Sequence, residues 1–289
     1  MKILLTGASG QLGQEWQHLI NDRDDIILWP YTSSQLDITN REQVEAELHE
    51  RQPDVVVNCA AFTDVDAAES KKELAHQVNA EAVTYLAELS TAINCTLVHY
   101  STDYIFPGRP KDRENCPAGY PEDYPADPIN WYGQTKWEGE QAIRRAGANH
   151  LILRLSWVCG QFGSNFVKTM LRLGQDREEL QVVNDQWGSP TFADNVVANS
   201  LALLEGEAAG TYHITSKGMI TWYDLASAIF EIMEMDVDLE PVTSDVFPTE
   251  AERPHFSKLS TQKLEAVPGV EVVNWLEGLK VLLSQLQNR

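Results

Sequence analysis

Positive charge is scarce in this chain of 289 residues: 22 lysines and arginines face 43 aspartates and glutamates, for a net charge of −21. That imbalance argues against a nucleic acid or an anionic membrane surface as a partner. Long hydrophobic runs are missing too. No stretch of roughly 18 apolar residues is available to span a bilayer, and the opening MKILLTG has neither the basic start nor the long apolar segment of a secretory signal. Cysteine is sparse. Cys59, Cys95, Cys116 and Cys159 show no paired metal-ligand spacing, so free thiols in a reducing cytoplasm are expected. Cys59 and Cys159 lie in or beside apolar runs and read as small core residues. Repeats and low-complexity linkers are also absent, leaving a continuous chain long enough for one large α/β unit or two smaller ones.

What is present alternates. Short apolar runs, KILLT (2–6), IILW (26–29), DVVVNCAA (54–61), TLVHYST (96–102) and HLILRLSWV (150–158), are separated by helical patterns such as NREQVEAELHERQ and the stretch from Ala67 to about Asn94. Fully apolar strands alternating with helices imply a parallel sheet covered on both faces. The expected fold is α/β, a Rossmann-type doubly wound parallel sheet with a smaller C-terminal α/β lobe. Residues 1–158 should form the dinucleotide-binding domain and 159–289 the substrate-binding lobe. GTYHIT (210–215) reads as one more sheet strand, so 190–215 should return to the first domain. The tail should end in an amphipathic helix with Trp275, Leu276, Leu279, Leu282, Leu283 and Leu286 on one stripe.

LLTGASGQLG places Gly7, Gly10 and Gly13 after the first strand and at the start of a helix. A dinucleotide pyrophosphate needs that context: a tight turn, close backbone approach, and helix amides aimed at the phosphates. Helix amides require no basic side chain, which suits an acidic protein binding an anion. Gly7, Gly10, Gln11, Leu12 and Gly13 are therefore candidate cofactor contacts. The second strand ends in Pro30 and Tyr31, where an acid for the ribose 2′-hydroxyl of NAD would be sought, while Thr32, Ser33 and Ser34 can donate to a 2′-phosphate. The expected cofactor is NADPH, with NADH possible. Asp37 and Ile38 are placed near the adenine, although Asp37 can equally cap the next helix. Ala60 and Ala61 are small enough to let a cofactor pass close to the backbone, and core packing explains them as well.

In NWYGQTK, Pro128 bars a preceding helix and helix formers follow, so Tyr132 and Lys136 fall one turn apart on one face. An ammonium roughly 4 Å from a phenol, at an effective dielectric near 20, favours the phenolate by about 4 kcal/mol before desolvation. Such a pair suits proton transfer to a carbonyl oxygen.

Taken together, LLTGASGQLG, PDVVVNCAAFTDVDAAE, HYSTDYIFPG, YGQTKWEGE, LRLSWV, NFVKTMLRL, VVNDQWGSPT and RPHFSKL run from Leu4 to Leu259. This set resembles the dTDP-4-dehydrorhamnose reductases of the extended short-chain dehydrogenase/reductase superfamily. The resemblance implies a catalytic set of Thr102, Tyr132 and Lys136, with Asn79 supporting the lysine end. It implies substrate contacts from Asp103, Tyr104, Trp157 and Asn165, and Arg253 as a candidate for the nucleotide diphosphate. His255 is expected to be structural. The implied reaction is NADPH-dependent reduction of the C4 keto group of dTDP-4-dehydro-L-rhamnose.

Two other readings stay open. One is a nucleotide-sugar epimerase of the same fold, and the other is a non-catalytic regulatory subunit of methionine adenosyltransferase. Dehydratases of this type carry a glutamate where Tyr104 stands, so water elimination lacks a base here. Glu15 and Asp194 do not by themselves establish the intersubunit magnesium site of some relatives, and no catalytic metal is expected. A monomer or homodimer fits equally.

Overall fold

Ile3, Leu4 and Leu5 are all inaccessible to solvent. In an extended strand their side chains alternate between faces, so the strand they form must be covered on both sides. The computed structural model, which describes residues 1–288, shows this arrangement. Strand β1 (Lys2–Thr6) is followed by helix α1 (Gln11–Leu19), β2 (Ile27–Tyr31), helix α2 (Arg41–Arg51), β3 (Val55–Asn58), β4 (Thr96–Thr102) and β5 (His150–Leu155). Ile3 and Leu5 join Trp16 of α1 in one core, while Leu4 joins Val44 and Leu48 of α2 in another.

A sixth strand, Gly210–His213, pairs in parallel with β5, so the chain does return to the sheet. The order across the sheet is β2, β1, β3, β4, β5 and the sixth strand, all parallel. The direction of winding reverses between β1 and β3, which opens a crevice beyond their C-terminal ends. β4 outruns β3: His99 pairs with the last residue of β3, Asn58, so Tyr100, Ser101 and Thr102 project past it.

The helix Ala193–Glu205 packs on the same face as α1, through Val196, Val197 and Leu201. Leu264 reaches that core as well, a second return that the sequence pattern does not disclose. A separate core gathers Val167, Met170, Leu225, Ile229, Leu279, Leu282 and Leu283, so the expected tail stripe, apart from Leu276, packs against the helices Phe166–Asp176 and Trp222–Ile232. Among the described residues, no helix is long and apolar enough to cross a membrane.

Candidate active site

The chain turns at Gly7 with φ of +67°, and a Cβ there would lie 2.6 Å from the Ala60 amide nitrogen. Only glycine fits. Gly13 packs against the Gly7 carbonyl so closely that a side chain would collide with it, and it lines no part of the crevice. Its place is helix–turn packing. Gly10 caps α1 without a side chain, so first-turn amides stay available to a ligand. Gly7 and Gly10 line a cavity of about 340 Å³ with Asp37, Ile38, Ala60 and Ala61, and Gln11 and Leu12 of the first turn line the neighbouring one. An uncapped helix end on an open cleft fits a dinucleotide pyrophosphate. Asp37 does not cap α2: it accepts from the Thr39 amide (2.9 Å) and hydroxyl (2.7 Å), while Asn40 is the cap. Ser33 faces the same cavity.

Gly10, Cys59, Ala60 and Ala61 also border a second cavity of about 480 Å³, so the two adjoin. Its walls include Gln11, Leu12, Thr102, Tyr132, Lys136 and Trp157. Asn130 places the tyrosine and lysine by accepting from the Gly133 amide (2.8 Å), which starts the helix Trp131–Ala146. Gly133 must be small because its α-carbon passes against the Tyr104 carbonyl. Asn79 lies in a π-helical turn (Gln77–Glu81), where it grips the backbone of Phe62 and donates to Thr135 at 3.1 Å. It holds Phe62 to the helix Trp131–Ala146, one residue short of Lys136.

The electrostatics differ from the expectation of a lysine-stabilised phenolate. Burial pushes the Tyr132 phenol up to about 12, against a smaller opposing effect from Thr102. Lys136 instead donates to the Tyr100 carbonyl at 2.6 Å and meets His99 at 3.3 Å. Burial lowers its ammonium to about 8, with Glu140 and Cys59 opposing. The buried site penalises both charges, so the phenol keeps its proton at neutral pH. That is the form a proton donor needs.

Thr102 donates to Asp103 at 3.0 Å and accepts from the Tyr104 amide at 3.2 Å. Burial raises Asp103 to about 7, opposed by hydrogen bonds from Thr102 and Ser257. When that carboxyl takes a proton, the Thr102 contact can reverse and free the threonine hydrogen for the cleft. Tyr104 meets Tyr132 edge to face at 5.8 Å between ring centroids.

Two residues implied by the resemblance have other work in this structure. Asn165 caps the helix Phe166–Asp176 and donates to Gln11 (2.8 Å) and to the Gly160 carbonyl (2.8 Å). It borders none of the cavities around the cleft and clips the lobe to the glycine loop, because all its amide groups are spent. Arg253 lines a third cavity of about 530 Å³, which meets the second at Tyr104 and Trp222. Its guanidinium grips Asp66 in bidentate fashion (3.0 and 2.7 Å). His255 contacts the Asp185 carbonyl at 3.2 Å and lines the same cavity. Glu15 is buried and accepts from Gln161 at 3.0 Å, and Asp194 accepts from the Asn195 amide.

Trp157 adopts a left-handed backbone (φ +46°) and stacks on Trp222, with ring centroids 3.6 Å apart. The pair walls the cavity and also packs against the core that holds Val167 and Leu225. Trp222, Asp66 and Ser257 are absent from the sequence reading. Nothing local marks them, since each joins the site across the fold.

The family model described as RmlD substrate binding domain matches residues 1–288. The dTDP-4-dehydrorhamnose reductase of Escherichia coli (strain K12) is 39% identical over 299 residues, covering 99% of this chain and 98% of the relative. The crystal structure of a dTDP-4-dehydrorhamnose reductase from Clostridium acetobutylicum superposes with a TM-score of 0.94 at 38% identity, covering 99% of this chain and 100% of the other. That of the Bacillus anthracis dTDP-4-dehydrorhamnose reductase in complex with NADP gives 0.93 at 37% identity, covering 98% and 99%.

Proposed function

The chain belongs to the dTDP-4-dehydrorhamnose reductase family matched by the RmlD substrate-binding model, and from that premise we propose that it reduces the C4 keto group of dTDP-4-dehydro-L-rhamnose to dTDP-L-rhamnose. NADPH supplies the hydride when bound, and NADH is the lesser alternative. The single observation that carries the reading is the Tyr132 phenol on a cavity wall shared with Thr102 and Lys136 and adjoining the glycine-loop crevice.

The chain's own residues account for the proton. As hydride arrives at the carbonyl carbon, the Tyr132 hydroxyl gives its proton to the carbonyl oxygen. Thr102 orients that oxygen. Lys136, charged below about pH 8, stabilises the phenolate left behind until water returns the proton. The lobe built on the 159–289 core, with Trp157, Trp222 and Arg253 at its border, is assigned to the nucleotide sugar. A bidentate guanidinium matches a phosphate as well as it matches Asp66.

The test is to mix purified protein with NADPH and dTDP-4-dehydrorhamnose. Stoichiometric NADPH consumption over many turnovers is expected. Epimerised product without net NADPH oxidation, or binding without turnover, overturns the proposal in favour of an epimerase or a regulatory subunit.

A further inference from the structure

Across the sheet, the parallel register sets Thr6 beside Asn58 and Asn58 beside His99. All three are buried, and Lys136 closes the row from the helix above. The hydrogen bonds settle the orientation of each member. The Ala60 amide, which can only donate, points at Asn58 Oδ1 (3.2 Å), and the Thr6 hydroxyl donates to the same oxygen at 2.6 Å. Asn58 Nδ2 therefore faces His99 Nδ1, at 3.1 Å. An amide N–H₂ has only protons to offer, so Nδ1 must accept. Burial first, and the neighbouring lysine second, hold the imidazole neutral, so its one proton sits on Nε2. Nε2 lies 3.3 Å from Lys136 Nζ.

We propose that His99 is a positioning residue for Lys136, fixed by Asn58 in the tautomer that turns Nε2–H toward the lysine nitrogen and so favours the free amine over the ammonium. The amine form is satisfied on both counts: it donates to the Tyr100 carbonyl and accepts from His99. The ammonium instead sets donor against donor. The other charged groups that act on the lysine are Glu140 on its own helix and Cys59 after β3, while Tyr132 lines the same cavity without bonding it. Glu140 is itself neutralised by Arg154 and Arg144, at 2.8 Å each. His99 is thus the neighbour that can offset the remaining attraction, keeping the lysine able to gain and lose a proton near neutrality. The proposal rests on reading Lys136 as part of a reductase site.

The first measurement is ¹⁵N-histidine NMR of the full chain, with His99 assigned by the signals lost in His99→Gln. It needs no activity. The Nε2–H pattern is expected, and the Nδ1–H pattern overturns the proposal. The second is the pH profile of kcat/KM, read from the pH dependence of NADPH binding if the chain does not turn over. Gln at position 99 can rotate to offer its oxygen to the ammonium, so the alkaline limb should move up by about one pH unit. An unmoved limb in a folded variant that binds NADPH overturns the positioning role. Should His99→Gln fail to fold, Asn58→Asp must convert His99 to the Nδ1–H form, and persistence of Nε2–H sinks the idea. NADPH oxidation that never occurs, beside the expected tautomer, counts against the reductase reading alone.

Discussion

On the β4 side of the cleft, the polar groups are spent on one another in a buried lattice. Ser101, Arg154 and Arg144 all bond Glu140, and Thr6, Asn58, His99 and Lys136 form a row. On the lobe side, Arg253 is held by Asp66, a partly exposed residue, at the border of an open cavity. The first arrangement is preorganised, because most of its members are buried and Glu140, Asn58 and Lys136 are each held by more than one partner. The second is exchangeable under the proposed function, in which a phosphate takes the place of the carboxylate. One side suits chemistry and the other suits capture and release.

Breaking the lattice should cost most. Burial alone raises the Glu140 carboxyl, but Arg154, Ser101 and Arg144 outweigh it and leave it below its ordinary value of 4.5. Glu140→Ala strands Arg154 in the interior and should lower stability by ~3–5 kcal/mol in denaturant unfolding. The sign of the pH effect follows from the depressed carboxyl. Its stabilisation is full above 4.5 and lost as pH falls through the lower folded-state value. The variant should lack that acid-side loss. Wild-type-like stability in the variant would mean that the lattice is not tight.

Tyr132→Phe keeps the ring and deletes the proton. Turnover should fall by about a hundredfold or more with NADPH affinity nearly unchanged. A change of only a few-fold would remove Tyr132 from the role of proton donor.

On the exchangeable side the effects shrink and move to KM. Arg253→Ala should raise KM for the nucleotide sugar about tenfold with little change in kcat, because phosphate pairing acts on ground and transition states alike. Arg253→Lys should recover part of the loss. A fall in kcat with KM spared would instead make Arg253 an organiser of the cleft. Asp66→Asn removes the internal competitor. Since partly exposed ion pairs are worth about 1 kcal/mol or less, KM should drop only about two- to fivefold. A rise in KM would show that Asp66 positions the arginine for substrate.

Much of this molecule was legible before folding, where the cause is local. KILLT and TLVHYST correspond to β1 and β4 residue for residue, because adjacent apolar residues such as Ile3–Leu5 and Leu97–Val98 need cover on both faces of a strand. Gly7 and the Tyr132–Lys136 spacing were legible for the same reason: a turn and a helical repeat are properties of adjacent residues. The direction in which Lys136 turns was not. Spacing put it on one face with the phenol, and only the neighbouring strand supplied the Tyr100 carbonyl and His99 that it bonds. Asn165 and Arg253 found partners 154 and 187 residues distant, in Gln11 and Asp66. The sequence by itself determined which segments form strands and helices and where the glycine loop must turn, through short-range sterics and hydrophobic period. Tertiary structure alone decided which polar groups are buried together. With water excluded, that companionship sets the proton on Tyr132, the tautomer of His99 and the partner of Arg253.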